Sequence, residues 1–122
     1  MCTPFVRSSA LILPRIVLSI LLAVPALLVP IAAPAQECSK IIEVAITFEF
    51  IPKDLHIKQG ECVRFVNVHT IEHSAAGLKW EFNTGQLMPG GRSLIRFDKA
   101  GEIPYWCAHH PPMQAKLTVD PK

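Results

Sequence analysis

Between residues 41 and 50 the sequence reads IIEVAITFEF, and polar and apolar side chains alternate along it. Ile42, Val44, Ile46, Phe48 and Phe50 share one face; Glu43, Thr47 and Glu49 share the other. Successive side chains of an extended chain point to opposite sides, so a period of two predicts a half-buried β-strand. Pro52 ends it. Shorter runs of the same kind predict strands over residues 55–58, 62–68, 78–82, 93–97, 102–107 and 114–119. Gln59-Gly60-Glu61, Asn83-Thr84-Gly85, Pro89-Gly90-Gly91 and Asp98-Lys99-Ala100-Gly101 supply the turns between them. No segment beyond residue 40 carries a helical period. About seven short strands with frequent Gly and Pro turns imply an all-β, antiparallel β-sandwich. Strand count alone does not choose between an immunoglobulin-like sandwich and its relatives.

The first 35 residues are of another kind. They contain no Asp or Glu and only two basic residues, Arg7 and Arg15. Residues 16–33 are almost wholly apolar, and Ala33-Pro34-Ala35 then gives way to polar Gln36-Glu37. A basic start, an apolar middle and a small-residue exit predict a secretory signal peptide over 1–35, cleaved after Ala35, and a single domain over 36–122. About eighteen apolar residues are just enough to span a bilayer. Pro25 and Pro30 interrupt a straight spanning helix, and the Ala-x-Ala exit favours cleavage.

Removing the leader changes the charge. Of twelve Lys and Arg, ten remain, against ten Asp and Glu, so the formal charge of 36–122 is zero. No basic stripe is left to suggest nucleic acid, and no apolar anchor is left for a membrane. A domain of this size buries one modest core, so covalent or metal staples would help it.

Four cysteines are present, and Cys2 belongs to the leader. Cys38, Cys62 and Cys107 remain, an odd number for an oxidising compartment. The simplest solution pairs two and keeps one for chemistry. Cys38 lies just before the first strand, Cys62 opens a later one, and Cys107 sits among histidines. The expectation is a Cys38–Cys62 disulfide and a functional Cys107; the alternative is two free buried thiols.

The most informative segment is Tyr105-Trp106-Cys107-Ala108-His109-His110-Pro111-Pro112-Met113. It presents a thiol, an imidazole and a thioether at Cys-x2-His-x2-Met spacing. A strand ending at Cys107, followed by a short loop, can turn all three side chains to one point. Two imidazoles and a thiolate with a weak axial thioether are the donor set of blue copper. The second imidazole must come from Asn67-Val68-His69-Thr70-Ile71-Glu72-His73-Ser74, which leaves an earlier strand. Structural zinc prefers four Cys or His ligands, and Met is a poor zinc donor. Cys107 or Met113 alone would be read as core filling.

On these residues the chain resembles the small blue-copper proteins, the cupredoxins. GEIPYWCAHHPPMQAKLTV is similar to amicyanin- and pseudoazurin-type members, and its two-residue gap from His110 to Met113 resembles the short ligand loop of amicyanin. QECSKIIEV together with GECVRFVNV resembles azurin, whose N-terminal strand is tied by a disulfide at that place. The resemblance runs from about Cys38 to Val119 and implies a Greek-key β-sandwich with one type 1 copper ion. It implies His73, Cys107, His110 and Met113 as the metal ligands, with His69 as competitor to His73. It also implies a monomeric, periplasmic carrier of single electrons rather than an enzyme, with a c-type cytochrome or a periplasmic dehydrogenase or oxidase as partner. A periplasmic copper-delivery protein using the same ligands is the alternative.

The chain departs from the family at Ser74, where Asn usually follows the first ligand. It also has a short span from His73 to Cys107, implying a trimmed flap, and an extra imidazole, His109. Asn67 and Ser74 are expected to orient the site. His109 and His56 are expected to face solvent. Pro111, Pro112, Leu87 and Met88 are expected to form an apolar patch around His110.

Overall fold

The computed structural model describes Ala32 and residues 37–122. The expected leader and its cleavage site lie outside the described residues, Ala32 apart. Among the described residues eight strands make up the fold: β1 (Ile41–Ile46), β2 (Phe50–Ile51), β3 (Asp54–Lys58), β4 (Glu61–Asn67), β5 (Ala76–Gly77), β6 (Arg92–Phe97), β7 (Gly101–Cys107) and β8 (His110–Asp120). They form two four-stranded sheets, ordered β2-β1-β4-β6 and β3-β8-β7-β5. The expected all-β sandwich is what the chain adopts, with eight strands rather than seven.

Its pairing is mixed, not antiparallel throughout as expected. β1 runs parallel to β4, and β3 parallel to β8, while the other ladders are antiparallel. The reason is topological. Between β1 and β4 the chain visits the opposite sheet as β3 and returns, so β4 re-enters beside β1 in the same direction.

The long alternating run does not remain one strand. Thr47 N–H donates to Glu49 O at 2.9 Å and reverses the chain. β2 then folds back on β1 with Ile46 opposite Phe50. Phe50 is buried, but Phe48 sits on the bend and is 73% exposed. The expected strand at 78–82 is also replaced. Trp80 N–H donates to Gly77 O, and Trp80 takes the left-handed conformation with φ 60°. That turn sends Phe82 back into the core, where it stacks on Phe65 at 5.4 Å.

Five aromatic rings fill the centre of the sandwich. Tyr105 meets Phe50, Phe65 and Phe82 edge to face at 4.8, 5.8 and 5.7 Å, and Phe82 meets Phe97 at 5.3 Å. Each such pair adds about 0.5–1.5 kcal/mol beyond the area it buries. Val44, Ile46, Val63 and Leu117 close the core around them.

Cys38 and Cys62 are joined, with Cα atoms 5.5 Å apart. The register that sets Ile41 beside Cys62 brings Cys38 within reach. Among the described residues Cys107 is the free thiol, and it is buried.

Candidate metal centre

The site lies where β4 and β7 end. β4 stops at Asn67, and the turn at Met88–Gly91 clamps that end: Gly90 N–H donates to Asn67 O at 2.8 Å, and Asn67 N–H to Gly91 O at 2.9 Å. Gly91 is required there, since a Cβ would lie 2.8 Å from the Met88 carbonyl oxygen. The buried Asn67 side chain holds the loop beyond. Its Nδ2 donates to Ile71 O at 2.7 Å and Leu87 O at 2.8 Å, and its Oδ1 accepts from His69 N–H at 2.9 Å. The backbone of His73 is fixed by a reciprocal pair with Leu87, 3.0 and 2.7 Å long.

Cys107 ends β7, and Cys107 pairs with His110 across a two-residue turn at Ala108 and His109. His110 and Met113 therefore lie on β8 itself, not on a loop. This corrects the reading of Pro111-Pro112 as a strand-free stretch. β3 pairs only from Lys116 onward, so residues 110–115 form an edge where prolines lacking N–H groups cost no ladder bond on the open side.

Three donor atoms converge. Cys107 Sγ lies 3.7 Å from His73 Nδ1 and 3.7 Å from His110 Nδ1. The three side chains offer atoms that all lie within 4.8 Å of one another. His73 and Cys107 are fully buried, and His110 is half-buried. Met113 is buried and lines the same apolar recess as His73 and His110. His69 stands outside the donor triad.

The set fits a metal ion on its own geometry. Bonds of about 2.3 Å to sulfur and 2.0–2.1 Å to imidazole nitrogen, 120° apart, place S and N about 3.8 Å apart. The observed separations match that spacing. A ligating imidazole must be neutral. Burial first, then the neighbouring rings of His110, His69 and His109, hold His73 below its ordinary value of 6.5, which keeps it so.

The thiol has donors of its own. Ser74 N–H points at Cys107 Sγ at 3.3 Å, and Ser74 Oγ lies 3.9 Å from it. Ala108 N–H donates to Ser74 Oγ at 3.1 Å. The hydroxyl thus links the loop that carries His73 to the turn after β7. His109 is exposed, within 3.4 Å of Ser74 Oγ and 3.9 Å of a Glu72 carboxylate oxygen. His56 faces solvent beside Asp120. Leu87 is buried and takes no part in the patch around His110; Ile71 and Phe48, which sequence reasoning left out, join Pro111 and Pro112 there.

No family model matches the sequence. Amicyanin from Paracoccus versutus is 27% identical over 96 residues, covering 75% of this chain and 73% of that one. A solved structure of a purple cupredoxin from Nitrosopumilus maritimus superposes with a TM-score of 0.60 at 22% identity, over 64% of this chain and 98% of that one. The reduced form of an amicyanin mutant gives 0.61 at 24% identity, over 71% and 95%. The Cu(I) form of another amicyanin mutant gives 0.60 at 27% identity, over 66% and 82%. The chain has the cupredoxin fold. Within that fold, the named strand between His73 and β6 is the two-residue β5.

Proposed function

We propose that this cupredoxin binds one copper ion through His73, Cys107, His110 and Met113 and carries single electrons between redox proteins. The observation that carries the reading is the pair of 3.7 Å separations between Cys107 Sγ and two histidine Nδ1 atoms. Copper bound to such a set supplies a one-electron couple whose two oxidation states accept one geometry. The chain's own residues do the rest. Ser74 N–H stabilises negative charge on Cys107 Sγ. Asn67 and Leu87 hold His73 still. His110 brings one donor to the edge of an apolar recess walled by Ile71, Pro111 and Pro112. A small apolar rim of this kind suits short-lived encounters with protein partners.

The protein is a carrier, not an enzyme, on this reading. Burial of His73 and Cys107 favours retention of the ion over hand-off to another protein. The cystine and the leader-like first 35 residues support a periplasmic location after cleavage at Ala35. A c-type cytochrome or a periplasmic dehydrogenase or oxidase is the kind of partner proposed, met by a monomer.

The test is a visible and EPR spectrum after addition of Cu(II). The expected result is an intense blue colour with narrow copper hyperfine splitting, both lost in Cys107→Ala. A pale, ordinary Cu(II) spectrum would remove Cys107 from the ligand set and the carrier function with it.

A further inference from the structure

We infer that His69 is a positioning residue for His73: its ring accepts the hydrogen bond that fixes His73 in the one tautomer able to bind a metal. The inference rests on the copper reading for its functional meaning, but its structural content stands without metal.

His73 turns Nδ1 toward Cys107 Sγ, at 3.7 Å. A nitrogen that is to donate a lone pair there carries no proton, so the proton of neutral His73 must sit on Nε2. His73 is fully buried, and a buried N–H without an acceptor is costly. The atom facing Nε2 is neither a carbonyl, a carboxylate nor water, the usual partners of a ligating histidine. It is Nδ1 of His69, at 3.0 Å. His69 therefore keeps its own proton on Nε2 and presents a bare Nδ1 inward.

The surroundings hold His69 to this task. Asn67 Oδ1 accepts from His69 N–H at 2.9 Å, while the same amide anchors Ile71 and Leu87. Phe48 stands edge-on to the His69 ring, centroids 4.2 Å apart. The bend that exposes Phe48 thus sets its ring against that of His69.

The experiment compares wild type, His69→Asn, His69→Leu and Phe48→Ala. Asn places an oxygen near the position of Nδ1, whereas Leu fills the space with no acceptor. In the metal-free protein, nitrogen-detected NMR reads the His73 tautomer directly. The expected result is the Nε2–H form in wild type, His69→Asn and Phe48→Ala, and a mixture containing Nδ1–H in His69→Leu. With copper, His69→Leu is expected to lose about 10–100-fold in affinity, the usual cost of removing a partner behind a ligand, while keeping its blue colour at saturation. His69→Asn recovers most of that loss. An unchanged tautomer in His69→Leu, or equal losses in the Asn and Leu variants, would overturn the inference. Failure of wild type to turn blue would instead defeat the copper reading, and the tautomer measurement would still decide the role of His69.

Discussion

Removing a hydroxyl from the middle of the core should make this protein more stable. Tyr105 is 1% exposed at the centre of the aromatic cluster, and among the described residues its hydroxyl has no hydrogen-bond partner. A buried polar group left in that condition costs about 1–3 kcal/mol. Tyr105→Phe keeps the ring, so its contacts with Phe50, Phe65 and Phe82 survive. The void left by one oxygen costs only a few tenths of a kcal/mol at about 24 cal/mol per Å3. The net gain is about 1–2 kcal/mol, which in a domain of this size raises Tm by about 4–16 °C.

A second signature separates this account from general repacking. Burial, reinforced by the negative charge of Asp54, pushes the Tyr105 phenol well above its ordinary value of 10.0. Above pH 10 the unfolded chain therefore loses a proton that the folded chain retains. Titration of this phenol therefore leaves stability unchanged below pH 10 and lowers it above, by about 1.4 kcal/mol per pH unit. Phe cannot titrate, so the variant should lack this share of the alkaline decline. Thermal melts followed by circular dichroism at pH 7 and between pH 10 and 11 read both effects. A variant that melts below wild type at pH 7, or declines as steeply at high pH, would refute the reasoning.

Two further outcomes are expected. Replacing Cys38 by Ser and Cys62 by Ala opens a loop whose ends are 24 residues apart. The chain-entropy model gives about 3–4 kcal/mol for that closure, so Tm should fall by at least about 10 °C in a calorimetric scan. A fall under about 4 °C would show that the unfolded chain gains little freedom. In the metal-free protein, His73 is held below 6.5 by burial and by His110, His69 and His109. The unfolded chain then binds the extra proton first as pH falls. Stability from the neutral ring is complete above pH 6.5 and is lost below it, by at most about 1.4 kcal/mol per pH unit. Denaturant melts between pH 7 and 5 check this, and a His73→Gln variant with the same pH dependence would contradict it.

The strand period was legible wherever one face met the core and the chain stayed straight. It misled at Phe48, because the bend at Thr47–Glu49 depends on local hydrogen bonds that preserve the alternation in the sequence while turning the chain. It misled at 78–82, because nothing in Leu-Lys-Trp-Glu-Phe announces a Trp in the left-handed region. The Cys-x2-His-x2-Met run was legible because thiol, imidazole and thioether so close together have few other uses. His73 and His69 were not separable from residues alone, since both leave β4 within six positions of Asn67. Three bonds from one buried amide, to His69, Ile71 and Leu87, shape the loop that separates them.

β4 has a consequence for the sulfur chemistry of the chain. The cystine sits at its start and the metal site at its end, five residues along. At about 3.3 Å per residue, Cys62 and Asn67 stand roughly 17 Å apart along the strand. Thiol–disulfide exchange requires a thiolate to touch a disulfide sulfur. In the folded protein the Cys107 thiol stands at the other end of the strand from the cystine, so the strand acts as a spacer that keeps it from scrambling the bond. Three pairings are open to Cys38, Cys62 and Cys107 in the unfolded chain. The parallel register of β1 on β4 brings Cys38 beside Cys62 and leaves Cys107 at the far end. Correct pairing thus reports that this ladder has formed, and the thiol it leaves over is the one the metal site uses.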